Sequence, residues 1–127
     1  MRKEFVICII IIVTITVGNI LIKNYTNSAG KDMISKLEEL KISIGKNNSE
    51  EIEKKLSEVN QIWEEKQAKL AYFIEHNEIE KVDVNLVSLK SYVEINDLEE
   101  AKREVDESCF SVQHIEEKYA FNLKNIF

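Results

Sequence analysis

Two histidines and two cysteines are the residues of this 127-residue chain whose chemistry reaches beyond packing and charge. His76 has Glu80 four residues on, and His114 has Glu117 three residues on, so on a helix each pair would share a face and offer a nitrogen and a carboxylate to a metal. The same proximity arises by accident in a chain with 23 Asp and Glu. A di-iron bundle needs two Glu-x-x-His motifs, and neither histidine has a Glu three residues before it. No metal and no cofactor is therefore expected. His76 reads instead as a cap on the end of a preceding helix, where a cation complements the dipole and can bond a free carbonyl.

Cys8 lies in a long apolar run and Cys109 far beyond it, so the two cannot pair within one chain, and Cys109 reads as a small core residue. No nucleophile elbow, phosphate loop or haem-attachment motif is present; the "GKNNS" stretch has a single glycine and follows a helix, which makes it a turn. Asn24-Tyr25-Thr26 and Asn47-Asn48-Ser49 fit the glycosylation pattern, a three-residue motif too common to carry weight here. Trp63 sits on an apolar stripe and reads as a core anchor. With no nucleophile, base and orienting group in one constellation, the chain does not read as an enzyme.

The elements that would carry these residues begin with Phe5 to Ile22, 18 residues without a charge. As a helix this run extends about 27 Å, enough to cross a bilayer's hydrocarbon core. Lys23, Asn24 and Tyr25 follow it directly, where a cleaved signal peptide would carry small residues, so it reads as an uncleaved anchor with the bilayer as its partner. Arg2 and Lys3, offset by Glu4, place the amino terminus in the cytoplasm and the rest outside a cell membrane crossed once. Asn19, near the outer end, reads as reaching the interface, and the alternative is that Asn19 and Gly18 contact another transmembrane helix.

There is no proline and there are only three glycines, so the chain is expected to be all-α. The expected division is an anchor over residues 1–23, a polar linker over 24–31 and a helical bundle over 32–127. Met33, Leu37, Leu40 and Ile44 form the first stripe, and Ile52, Leu56, Val59, Trp63, Leu70 and Ile74 the second, in a helix of about 28 residues. Val82, Leu86, Leu89 and Val93 form the third; Leu98, Ala101, Val105, Cys109, Val112, Tyr119 and Leu123 the fourth, which extends almost to Phe127. Asn48 with Glu51, and Asp97 with Glu100, fit capping boxes.

A shift of 49 residues superimposes these stripes without a gap, so that Met33, Leu37, Leu40 and Ile44 fall on Val82, Leu86, Leu89 and Val93. Any two amphipathic helices in phase match in this way, and a duplication is one of two readings. Either way the chain reads as two α-hairpins, 32–77 and 78–127, that bury their apolar sides against one another in a four-helix bundle. Lys66 and Gln67 interrupt the second stripe, which favours a compact bundle over a dimeric coiled-coil seam, although a homodimer remains an alternative. At the end, "EKYAFNLKNIF" continues the fourth stripe, with Asn122 and Asn125 placed to bond free carbonyls at helix ends.

Beyond Lys23 there are 14 Lys or Arg against 22 Asp or Glu, a net charge of -8, and residues 75–107 hold 11 of the acids against four bases. Such a surface repels phosphate backbones, so nucleic acid is not expected as a partner.

The stretches "IWEEKQAKLAYFIEHNEIEKVDVNLVSLKSYVEIND" and "HIEEKYAFNLKNIF" resemble an uncharacterised domain-of-unknown-function family of small membrane-anchored proteins from spore-forming anaerobic bacteria. The matching residues are Trp63, Phe73, Ile74, His76, Glu78, Ile79, Leu86, Leu89, Asp97, Asn122, Leu123, Asn125 and Ile126. The resemblance implies the topology and an accessory role beside polytopic membrane proteins; it implies no reaction. The function expected is a membrane-anchored, extracytoplasmic interaction module with an integral-membrane partner. The alternative is a ligand-sensing bundle, which must signal through a partner because only about four residues precede the span.

Overall fold

The computed structural model describes the backbone of residues 2–126 and the side chains of residues 2–119. Four helices follow one another: α1 (Arg2–Gly45), α2 (Ser49–Leu70), α3 (His76–Glu94) and α4 (Leu98–Ile126). The all-α expectation holds, with the apolar segment and the first bundle helix fused into one element.

That fusion corrects the linker expected over residues 24–31. Helix α1 runs unbroken for 44 residues, about 66 Å. Thr26, Ala29 and Gly30 are buried one and two turns before Met33, so this polar-looking stretch has its own packed face and no reason to unwind. Its apolar half is unburied, and Thr14 and Thr16 donate their hydroxyls to Ile10 O and Ile12 O at 2.8 Å. Those two groups make no demand on an external partner, as a lipid-facing helix requires.

Helix α2 is also shorter than its stripe suggested, ending at Leu70. Tyr72, Phe73 and Ile74 close a tight turn onto Lys69 O and Leu70 O, which lets Ile74 enter the core while Glu75 turns to extended backbone. His76 therefore begins α3 and cannot cap α2.

The two distal turns share one construction, 49 residues apart. Asn47 and Asn96 take the left-handed conformation at φ 56° and 59°, which asparagine tolerates better than most residues. Asn48 Oδ1 then accepts from Glu51 N, and Asp97 Oδ1 from Glu100 N, each at 3.3 Å. Asp97 N also donates to Tyr92 O at 2.9 Å, the six-residue closure that ends α3.

Helix α1 packs on α2 and α4, and α3 packs on α4, whereas α2 and α3 meet least. The core repeats with the same offset: Met33, Leu37 and Leu40 of the first hairpin and Val82, Leu86 and Leu89 of the second are all buried, as are Ile52, Leu56, Val59 and Trp63 and their counterparts Ala101, Val105, Ser108 and Val112. Each large aliphatic side chain so buried contributes about 1.5–3 kcal/mol. Ion pairs line the seams, Lys55 with Glu39 at 3.1 Å and Lys41 with Asp106 at 2.7 Å. Being partly exposed, they orient the helices more than they stabilise them.

Candidate functional site

The residues with chemical potential do not converge. His76 is exposed at the start of α3, 3.9 Å from Glu80, so this pair does share a face. His114 turns away from Glu117 towards α3, where its Nε2 lies 3.7 Å from Glu78. Among the described residues no three His, Cys, Asp or Glu side chains gather as a metal would need. Cys109 is buried against Glu38, and burial pushes its thiol up to about 11. A thiol so held stays protonated and is a poor nucleophile at neutral pH.

Glu78, read in the sequence only as part of a resemblance, is the most connected carboxylate. Its side chain is buried between α3 and α4, with Lys118 at 3.4 Å, Lys81 at 3.8 Å and His114 beside it. Lys118 Nζ also donates to Glu75 at 3.1 Å, and the Glu75 hydrogen bond holds its ammonium above the usual lysine range. Tyr119 Oη accepts from Glu75 N at 2.7 Å. Together these contacts lock the α2–α3 turn and the start of α3 onto α4. Of the three cations Lys118 alone is within hydrogen-bond distance of Glu78, and the carboxylate borders an open groove of about 520 Å³ with Asn77, Glu80, Lys81, Asn85 and Ser111.

Trp63 is buried as expected and also donates its indole N–H to Asp83 Oδ1 at 2.6 Å. This bond bridges the seam between α2 and α3, along which lie two open grooves of about 490 and 500 Å³. Their walls mix Asn60, Glu64, Gln67, Lys90 and Glu94 with the edges of Leu56, Trp63, Leu86 and Val93. Asp97 is the N-cap of α4, and the side chains of Asn122 and Asn125 lie outside the described residues.

The oddest chemistry lies where α1 and α4 cross. Glu116 of α4 presses its carboxyl against Gly30, in a notch that any β-carbon would fill. Its Oε1 and the Thr26 hydroxyl are both buried without a hydrogen-bond partner. Desolvation raises the Glu116 pKa, only partly opposed by Lys31. The adjoining enclosed cavity is about 10 Å³, too small for any ligand larger than a water. The sequence held a signal for this residue: Val112, Glu116 and Tyr119 step by four and three, which puts an acid on the core stripe.

The family described as Domain of unknown function (DUF4363) matches residues 20–126. No curated protein and no solved structure matches the chain.

Proposed function

The chain belongs to the DUF4363 family, a domain of unknown function, and from that premise we propose that it is a membrane-anchored interaction module, a non-catalytic accessory subunit of a membrane protein complex. Residues 5–22 cross a cell membrane once, the amino terminus is cytoplasmic, and the bundle stands outside. The observation that carries the reading is the unbroken α1: an unburied apolar span and a packed bundle helix in one rigid rod. A stiff connection of this kind holds the bundle at a set height, which suits docking on a neighbouring membrane protein better than sampling by a flexible tether. The acid-rich stretch of residues 75–107 complements a basic partner surface and steers the approach.

Purification of the full chain from crosslinked membranes in mild detergent tests this. Recovery of a stoichiometric integral-membrane partner supports the accessory role; recovery of the chain alone, or only of its own dimer, overturns it. Protease added to spheroplasts tests topology separately: residues 46–127 should be cleaved, and their protection would reverse the orientation.

A further inference from the structure

The α2–α3 turn, residues Ala71 to Glu75, lies beside the part of α1 that leaves the apolar span. We propose that this turn, centred on Tyr72, is a second membrane contact that sits among the lipid headgroups of the bilayer α1 crosses. The inference rests on the reading of residues 5–22 as a span and adds to it a surface on the bundle itself.

Height above the membrane can be counted along α1 because the helix has no break. Tyr25 is three residues beyond Ile22, about 4.5 Å along the axis. The polar zone on each side of the hydrocarbon is roughly 5–7 Å deep, so Tyr25 falls within it. Cβ atoms lean towards a helix's N-terminus, and here the N-terminal direction is the bilayer, so the Tyr25 ring leans further in. Phe73 meets that ring edge to face, with centroids 6.1 Å apart, and the Lys69 ammonium lies 5.7 Å from its centroid. The turn is therefore at the level of Tyr25.

It is also held there. Phe73 N and Ile74 N bond Leu70 O, Ile74 is buried, and Tyr119 of α4 takes the Glu75 N–H. Helix α4 keeps an antiparallel register with α1 through Asp106 on Lys41, Cys109 on Glu38 and Glu116 on Gly30. Its backbone continues ten residues past Glu116, about 15 Å, which brings this end of the bundle down to the level of the span.

The side chains suit the location. Tyr72 is 89% exposed, more than any other large apolar side chain among the described residues. A single exposed aromatic is ordinary on a protein surface; what distinguishes this one is its height. Tyrosine with an apolar ring and a polar tip, three residues from the exposed Lys69 and in a turn whose acid, Glu75, is paired with Lys118, is the composition of an interfacial anchor. The opposite end contrasts: Ile95 is exposed there between Glu94 and Asp97, which anionic headgroups would repel. One rod fixes height but leaves rotation free about its axis. A second contact away from that axis fixes rotation, and so decides which face of the bundle a neighbour meets.

The test places one thiol probe at a time in the full chain with Cys8→Ala and Cys109→Ala, so that only the introduced thiol labels. Bimane is attached in detergent at Tyr72→Cys, Ile95→Cys or Ile12→Cys, and the protein is reconstituted in phosphatidylcholine vesicles. A headgroup nitroxide lipid should abolish most emission from position 72 and leave position 95 bright, while iodide on both sides should quench 95 and spare 72. Position 12 should respond to a nitroxide placed at mid-chain. If 72 behaves like 95 while 12 is quenched at mid-chain, the contact is refuted and the span stands. If 12 also escapes, the span reading and the contact fall together.

Discussion

Trp63 on α2 and Asp83 on α3 are joined by a 2.6 Å hydrogen bond across the seam where the two hairpins touch least. A bond to a charged acceptor at a half-buried site contributes about 1.5–3 kcal/mol. Trp63→Phe keeps one aromatic ring and loses the donor and part of the volume, so it should destabilise by at least about that amount. Asp83→Asn keeps an acceptor and should cost under about 1 kcal/mol, whereas Trp63→Ala opens a cavity and should cost about 3–5 kcal/mol. Denaturant titration of the full chain in mild micelles ranks the three. Equal losses for Phe and Ala would show that the indole N–H matters more than the ring's volume.

The caps at the distal turns give a second measurement. Asn48→Ala and Asp97→Ala each remove a side-chain acceptor from the first turn of a helix and should cost about 1 kcal/mol apiece. Asn96→Gly relieves a left-handed residue and should be neutral or stabilising, while Asn96→Val should cost about 1–2 kcal/mol. If Asn96→Val were silent, the turn would be able to re-form without positive φ.

These caps and the stripes are the part of the fold that the sequence discloses, because both depend on near neighbours. Asn48 and Glu51 are three residues apart, and Leu37, Leu40 and Ile44 recur on one face; neither pattern needs knowledge of the rest of the chain. The length of α1 did not disclose itself for the opposite reason. Thr26 and Gly30 look like a linker until α4 is laid against them, when their small size becomes what lets the helices approach. His76 misled in the same way: the end of α2 is set by Ile74 entering the core, a tertiary event. Glu78 was one acid among 23 until Lys118 and His114 arrived from 36 or more residues away.

That convergence makes Glu78 the most sensitive surface-linked acid. Glu78→Ala leaves Lys118 and His114 without their shared acceptor and should destabilise by about 1–3 kcal/mol. Glu80→Ala, which removes only an exposed partner of His76, should change stability by less than about 0.5 kcal/mol. Comparable losses at the two positions would mean that the burial of Glu78 contributes nothing.

Glu116 gives a pH dependence of opposite sign to that of an ordinary salt-bridged acid. Its folded pKa is raised by desolvation, so the native state binds the proton more tightly than the unfolded chain does. Stability should therefore rise as pH falls through the raised folded pKa, and be lowest above it, where a buried carboxylate must be kept ionised. Glu104, raised by desolvation and by Glu107, adds to the same slope. Glu116→Gln removes the charge and keeps the shape against Gly30, so thermal unfolding of the full chain at pH 8 should move up by a few degrees, on the order of 1 kcal/mol. The gain should shrink towards pH 5. Gly30→Ala drives the carboxyl out of its notch by another route, because the three atoms nearest the new methyl are the Oε1, Cδ and Cγ of the Glu116 side chain. It should flatten the pH dependence as well, and Glu116→Gln should then add little in the Gly30→Ala background. A loss of stability for Glu116→Gln at pH 8 would instead show that the carboxylate is held by attraction to Lys31, and that its burial is compensated.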